Sequence, residues 1–340
     1  MASIRRRSQS LLRGMQMDLG LSFLSFSTKW APKKPPPPGT KTRCSFQNPM
    51  ISGQLYQLKG RGANPQTLRW YNLEVDELPP IIYGTAWKAD ATADLVRAAL
   101  AAGYRAFDTA NQKKHYREDF AGEALKAHPR PELFLQSKYT FQNGQDHRLP
   151  YDPVAPPAEQ TRASFESSLR HFGTDYLDCY LLHGPSSSQG LTGADWEVWR
   201  TLEALHGSGK ARRIGVSNIG VHHLLELCAG AKVRPHVVQN RCYAVRGWDK
   251  AVRERCFALG IAYEGFSLLT ANPQVISSPP VRAAARRLEA TPEQIVFRFV
   301  KAVGILPLTG TTDPVHMKQD LEAGVLALSP AEIAAIGSVR

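Results

Sequence analysis

Cysteine is scarce. The chain carries five in 340 residues, Cys44, Cys179, Cys228, Cys242 and Cys256, with no C-x-x-C pair and no histidine at zinc-ligand spacing beside any of them. A disulfide scaffold and a structural zinc site are thereby excluded, and a reducing compartment, the cytoplasm, is expected. Long apolar runs are missing as well. The stretch from Leu19 to Phe26 is interrupted by Gly20, Ser22 and Ser25, far short of the roughly 18 residues that cross a bilayer. No membrane partner is expected. Acidic residues are almost absent from the first 72 positions, where twelve Lys and Arg face only Asp18, whereas thirty basic residues meet twenty-nine acidic ones from Glu74 onward. The net charge of +12 therefore belongs to a tail attached to a nearly neutral body. A tail of that kind gives no basic stripe for nucleic acid, which is excluded as a partner.

Residues 1–72 hold Arg5-Arg6-Arg7, Lys33-Lys34 and the four prolines Pro35 to Pro38, with too few periodic apolar residues to build a core. The composition predicts a disordered, basic, proline-rich extension ahead of a folded domain over 73–340. The first 17 residues are rich in Arg and free of acid, with Ile4, Leu11 and Met15 at helical spacing. That pattern resembles an organelle transit peptide and leaves a mitochondrial location open beside the cytoplasmic one and beside a non-functional extension.

Beyond the extension the pattern becomes an alternation. Short apolar runs at 81–85, 104–108, 133–138, 176–182, 213–216, 236–239, 261–264 and 303–306 alternate with amphipathic stretches at 92–102, 157–172, 195–206, 221–229, 249–259 and 292–302. Strand and helix in strict alternation imply a parallel sheet. Eight repeats in about 265 residues fit a closed (β/α)8 barrel, a TIM barrel of the α/β class, better than an open doubly wound sheet. The missing G-x-G-x-x-G after the first run argues against a Rossmann domain.

In such a barrel the active site sits where the strands end. The expected strand ends are polar: Asp108-Thr109, Ser137-Lys138, His183, Ser217-Asn218, Gln239-Asn240, Phe266-Ser267 and Thr309-Gly310-Thr311. A single polar rim residue is usually just a satisfied hydrogen-bonder. Asp, Lys and His on three successive strands converge at one mouth, where a lysine beside a carboxylate polarises a third group.

These residues resemble the aldo-keto reductase family over about 78–337. The likeness rests on Gly84-Thr85-Ala86-Trp87, Gly103-Tyr104-Arg105-Ala106-Phe107-Asp108-Thr109-Ala110, Gly122-Glu123-Ala124-Leu125, Ser137-Lys138, Leu181-Leu182-His183, Ile214-Gly215-Val216-Ser217-Asn218 and Gly260-Ile261 with Phe266-Ser267. The resemblance implies Asp108, Lys138 and His183 as three catalytic residues and Tyr116 as the fourth, the general acid. Tyr116 stands eight residues after Asp108, where the family usually has five, so three residues are inserted before it. The Lys138 ammonium, held by Asp108, is expected to bring the phenol closer to working pH.

The same resemblance implies a nicotinamide nucleotide, NADP(H) with NAD(H) as the alternative, and no metal. Thr85 and Asp108 are expected among its binding residues, with Ser217, Asn218 and Gln239 at the nicotinamide carboxamide and Phe266 stacking on the ring. Gly310, Thr311 and Lys318 are expected at the phosphate half, where the arginine of many family members is missing. The implied activity is hydride transfer that reduces small-molecule aldehydes or ketones to alcohols, an oxidoreductase of the NADP-dependent alcohol dehydrogenase type, in a monomer. Trp87, Tyr139 and residues near Pro185 are expected to line an open substrate pocket. A non-catalytic barrel that binds cofactor and serves as a regulatory or partner surface is the other reading of the same residues.

Overall fold

The computed structural model describes residues 78–340. The extension expected over 1–72, its targeting pattern and its proline run lie outside the described residues. Eight strands close into a parallel barrel in chain order: β1 (Ile82–Gly84), β2 (Ala106–Asp108), β3 (Phe134–Tyr139), β4 (Cys179–Leu182), β5 (Ile214–Ser217), β6 (Val237–Arg241), β7 (Ala262–Phe266) and β8 (Leu306–Thr309). The ladder runs from Gly84 opposite Asp108 round to Tyr83 opposite Thr309, which seals the ring.

Eleven α-helices among the described residues follow the strands. The first, α1 (Thr92–Ala102), buries Thr92, Val96 and Ala99 on one stripe and stops at Gly103, whose φ of 117° suits glycine alone. The next, α2 (Glu118–Leu125) and α3 (Pro157–Phe172), pack so closely that a Cβ at Gly122 would collide with the carbonyl oxygen of His171. Then come α4 (Gly193–Gly207), α5 (Val221–Gly230), α6 (Lys250–Leu259), α7 (Pro273–Ile276), α8 (Pro279–Leu288), α9 (Pro292–Ala302), α10 (Pro314–Glu322) and α11 (Pro330–Gly337). Capping boxes start α4 (Thr192 with Asp195), α9 (Thr291 with Gln294) and α11 (Ser329 with Glu332), satisfying N–H groups that the first turn leaves open. No described helix is long and apolar enough to cross a membrane.

The expected eighth strand is displaced. Val303 is the last residue of the α9 turn and Gly304 takes φ 81°, while Ile305 N–H reaches back to the Val300 carbonyl. The apolar run at 303–306 is thus the helix exit, and the ladder begins only at Leu306. The fourth strand is shorter than expected, with Leu177 making only an isolated bridge to Ala211. β6 and β7 each run two residues past the expected end, so Gln239 sits within a strand and Arg241 and Phe266 form the rim.

Strand parity separates two cores. Outward side chains such as Tyr83, Phe107, Leu135, Tyr180, Val216 and Val238 join the helices in one large cluster. Inward, Ile82, Ala106 and Leu308 and then Cys179, Leu181 and Val237 fill the lower barrel. Gly215 gives Leu181 its room, because a Cβ there would lie 2.6 Å from Leu181 Cδ2. Above these apolar residues the barrel axis turns polar, and the site is built on that layer.

Candidate active site

Asp108 ends β2 and Lys138 lies next to the end of β3, so both point along the axis toward the mouth. Lys138 Nζ donates to the two carboxylate oxygens of Asp108 at 2.6 Å each and to the Thr109 carbonyl at 2.8 Å, which uses all three of its protons. Both side chains are almost fully buried. Burial lowers the lysine's pKa, yet the Asp108 carboxylate together with Tyr116 and Glu264 more than offsets it and the net shift is upward, so the ammonium stays charged.

The loop carrying Tyr116 is pinned by the residues that lengthen it. Asn111 Nδ2 donates to the Ser164 carbonyl at 3.0 Å and Gln112 Nε2 to the Gly144 carbonyl at 2.7 Å, and both side chains are buried. The path ends with Lys138 Nζ 5.5 Å from the Tyr116 ring centroid and His183 edge-on to that ring at 5.9 Å. Burial raises the Tyr116 phenol pKa. Lys138 pulls it down, Asp108 pushes it up and Arg241 pulls it down, and burial prevails. Lys138 thus pulls the phenol in the expected direction, but in the free chain burial outweighs it and the hydroxyl keeps its proton.

His183 Nδ1 lies 2.7 Å from Thr140 Oγ1, and burial with the Lys138 charge depresses its pKa to about 3, so the imidazole is neutral. At the rim Trp87 takes φ 63°, unusual for a bulky residue, gives its N–H to the His115 carbonyl at 2.7 Å and stacks on the His115 ring at 3.7 Å. It is 72% exposed. Tyr139 faces the other way: its hydroxyl donates to Gln160 of α3 at 2.9 Å. Neither Tyr139 nor Pro185 lines the mouth, which corrects that part of the expected pocket.

A trough of about 1010 Å³ joins the mouth to the β8 loop. Asp108, Tyr116, His183, Ser217, Asn218, Gln239, Phe266, Gly310 and Thr311 all line it, whereas Thr85, Lys138 and Lys318 do not. Thr85 is buried, its N–H and hydroxyl both donating to the Asp108 carbonyl at 3.0 Å. Lys318 is exposed on α10. Asn218 sits at φ 57° and donates to the His183 carbonyl, and Ser217 Oγ donates to the Gln239 carbonyl. Gln239 Nε2 is already committed to Asp108 and Glu264, which leaves its side-chain oxygen, Oε1, for a ligand.

Several residues of the site are not expected from the sequence. Lys88 Nζ donates to the Gly310 carbonyl at 2.7 Å, tying the β1 loop to the β8 loop, and burial lowers its pKa to about 8. Arg241 holds its guanidinium over the Phe266 ring. Gln136 and Glu264 are wholly buried beside Asp108. Parity holds the signal for the last two: Gln136 is two residues before Lys138, Glu264 two before Phe266, each a polar inward position in an apolar strand.

Comparison with known proteins places this geometry. The sequence profile described as "Aldo/keto reductase family" matches residues 80–272, more than half the chain. A protein named glyoxal reductase from Bacillus subtilis is 34% identical over 215 residues, covering 63% of this chain and 70% of that protein. An "NAD/NADP-dependent indole-3-acetaldehyde reductase" from Schizosaccharomyces pombe is 32% identical over 254 residues, 72% of this chain and 83% of that one. Among solved structures, an aldo-keto reductase from a deep-sea metagenome superposes with a TM-score of 0.67 at 28% identity, over 78% of this chain and 92% of its own. A Bombyx mori aldo-keto reductase in complex with NADP gives 0.65 at 23% identity, over 78% and 90%, a likeness of fold.

Proposed function

Because the chain belongs to the aldo-keto reductase family, we propose that it is an NADP(H)-dependent oxidoreductase that reduces aldehydes and ketones to alcohols, with Tyr116 as general acid. The observation that carries the reading is a buried Asp108–Lys138 ion pair beside the Tyr116 ring and the neutral His183, at the floor of an open trough. A nicotinamide nucleotide fits the donor set. The exposed Asn218 amide, the free Gln239 oxygen and the half-buried Phe266 face suit a carboxamide and a flat ring. The Gly310–Thr311 turn suits phosphate. When bound, that cofactor supplies the hydride.

The chain's residues supply the rest. A carbonyl that accepts hydride gathers negative charge on oxygen, and a proton must reach it as that charge develops. Tyr116 holds its proton in the free chain and delivers it to that oxygen. The Lys138 ammonium then stabilises the phenolate left behind, while Asp108 keeps the lysine charged and fixed. Neutral His183, anchored through Thr140, orients the carbonyl. Lys318 with Thr311 is assigned to the 2′-phosphate. Support for an aldehyde substrate comes from the two relatives named for glyoxal and indole-3-acetaldehyde.

The test is consumption of NADPH and of NADH with a panel of aromatic and aliphatic aldehydes. Turnover with NADPH bound tighter than NADH is expected. Preference for NADH would overturn the phosphate assignment, and inertness toward every aldehyde with cofactor still bound would favour the non-catalytic barrel.

A further inference from the structure

Beneath the reacting groups lies a second carboxylate that the proposed reaction does not use. Glu264 of β7 is fully buried, and its Oε2 accepts from Gln136 Nε2 at 2.7 Å and from Gln239 Nε2 at 2.8 Å. Those two amide groups also donate to Asp108 Oδ1, at 2.9 and 3.0 Å. Two carboxylates from β2 and β7 are thus cross-linked by two amides from β3 and β6, and Lys138 is the ammonium beside them. Of the two carboxylates Lys138 bonds only Asp108, its third proton going to the Thr109 carbonyl. Glu264 Oε1 and Gln136 Oε1 are buried without any hydrogen-bond partner.

A buried layer with two negative charges and one positive carries a net charge that solvent relieves little, and a bare carboxylate oxygen there costs more than a neutral one. A proton on Glu264 removes the excess charge and converts one of two orphaned acceptors into a donor. We propose that Glu264 is a positioning residue that stores a proton beneath the Asp108–Lys138 pair and thereby sets the charge felt by Tyr116. The titratable groups facing it are Asp108 on β2, Lys138 on β3 and Cys179 on β4. Burial raises the Cys179 thiol far above its ordinary range and Glu264 adds to that, so the thiol does not compete for the role. Burial together with Asp108 raises the Glu264 carboxyl to about 7, and the Gln136, Gln239 and Lys138 contacts offset only part of it.

Once Glu264 ionises, the added negative charge raises the Tyr116 phenol pKa, making it a weaker acid. The rate effect rests on the reductase reading, whereas the stored proton and the phenol shift do not.

The experiment uses three measurements on the full chain. Infrared titration of protein labelled with 13C-glutamate should show a protonated carboxyl band that fades through about pH 7 and is missing in Glu264→Gln; the label separates it from Asp320. Ultraviolet titration of the Tyr116 phenol, referenced to Tyr116→Phe, should give a lower phenol pKa in Glu264→Gln than in the parent. With aldehyde and NADPH, the parent's kcat should fall through an ionisation near pH 7 that Glu264→Gln lacks, with NADPH affinity unchanged. A glutamate band that is absent from pH 5 to 8 in the unsubstituted protein would overturn the stored proton even if the variant did not fold. An unchanged phenol pKa would overturn the positioning role. Failure of turnover alone, with the first two results as expected, would count against the reductase reading and not against this one.

Discussion

Two buried aspartates, Asp108 on the barrel axis and Asp320 on α10, live by different rules. On the axis, Asp108 faces a charged lysine and two amide donors, and every neighbour is held by a strand. At the β8 shoulder, Asp320 of α10 is equally buried, yet its bonded side-chain partner is the Thr309 hydroxyl at 2.6 Å, and burial raises its carboxyl to about 6. The first carboxylate is paired with a buried cation. The second bonds a hydroxyl instead, and burial leaves its charge close to switching off. Around the axis, chemistry is over-determined by side chains, while the β8 end is held by backbone carbonyls, with Lys88 on Gly310 and Tyr83 on Thr311. The contrast separates an end that must keep a proton and an ammonium in place from an end that need only receive the tail of a ligand.

The largest effect that would break this picture lies on the axis. Tyr116→Phe should lower kcat by about 10²–10⁴ with cofactor affinity little changed, the range for loss of general acid catalysis. Tyr139→Phe should leave kcat near normal, since its hydroxyl bonds Gln160 behind the barrel wall. Steady-state kinetics with NADPH and an aldehyde reads both, and collapse in Tyr139→Phe instead would reverse the assignment. Next comes the ion pair. Asp108→Asn strands a buried ammonium and should cost about 3–5 kcal/mol in a denaturant titration. A loss under about 1 kcal/mol would mean that water or Glu264 replaces the lost carboxylate.

At the other end the expected effects shrink. Lys318→Ala should weaken NADPH by about 1.5 kcal/mol, the low end for a charged hydrogen bond because the side chain is exposed, and leave NADH unchanged in calorimetry. Equal losses for both cofactors would remove it from the 2′-phosphate. The smallest effect concerns Asp320. Its native carboxyl keeps a proton up to about pH 6, while an unfolded aspartate loses it near ~4. Between those values the native state binds more protons, so this group's contribution to stability falls as pH rises through the window and is flat above it. Asp320→Asn should therefore raise Tm at pH 8 relative to the parent and show no such gain at pH 4. A gain equal at both would show that titration of Asp320 is not the cause.

Much of this is legible in the residues. Alternating apolar runs and amphipathic stretches imply the eight-stranded barrel, and polar strand ends point to the mouth, because both signals are local. Tyr116 is reachable only through resemblance, and the three residues inserted before it obscure the loop's course. Asn111 and Gln112 resolve that course by bonding Ser164 and Gly144, partners more than thirty positions away. The start of β8 is not legible, because an apolar run reads alike at a helix exit and at a strand, and the cue is Gly304 alone. Gln136, Glu264 and Lys88 are hidden for a related reason: each looks like a lone polar residue.

Sequence by itself determined the order of elements, the near-neutral folded body and the inward or outward face of each strand residue, since these depend on spacing along the chain. Only the closed barrel decided that Asp108, Gln136, Lys138, Gln239 and Glu264 share one buried layer. Closure brings β2 and β3 against β6 and β7 across an axis that solvent barely reaches. Polar groups set 131 positions apart, such as Gln239 and Asp108, then act at hydrogen-bond distance in a medium that screens them little.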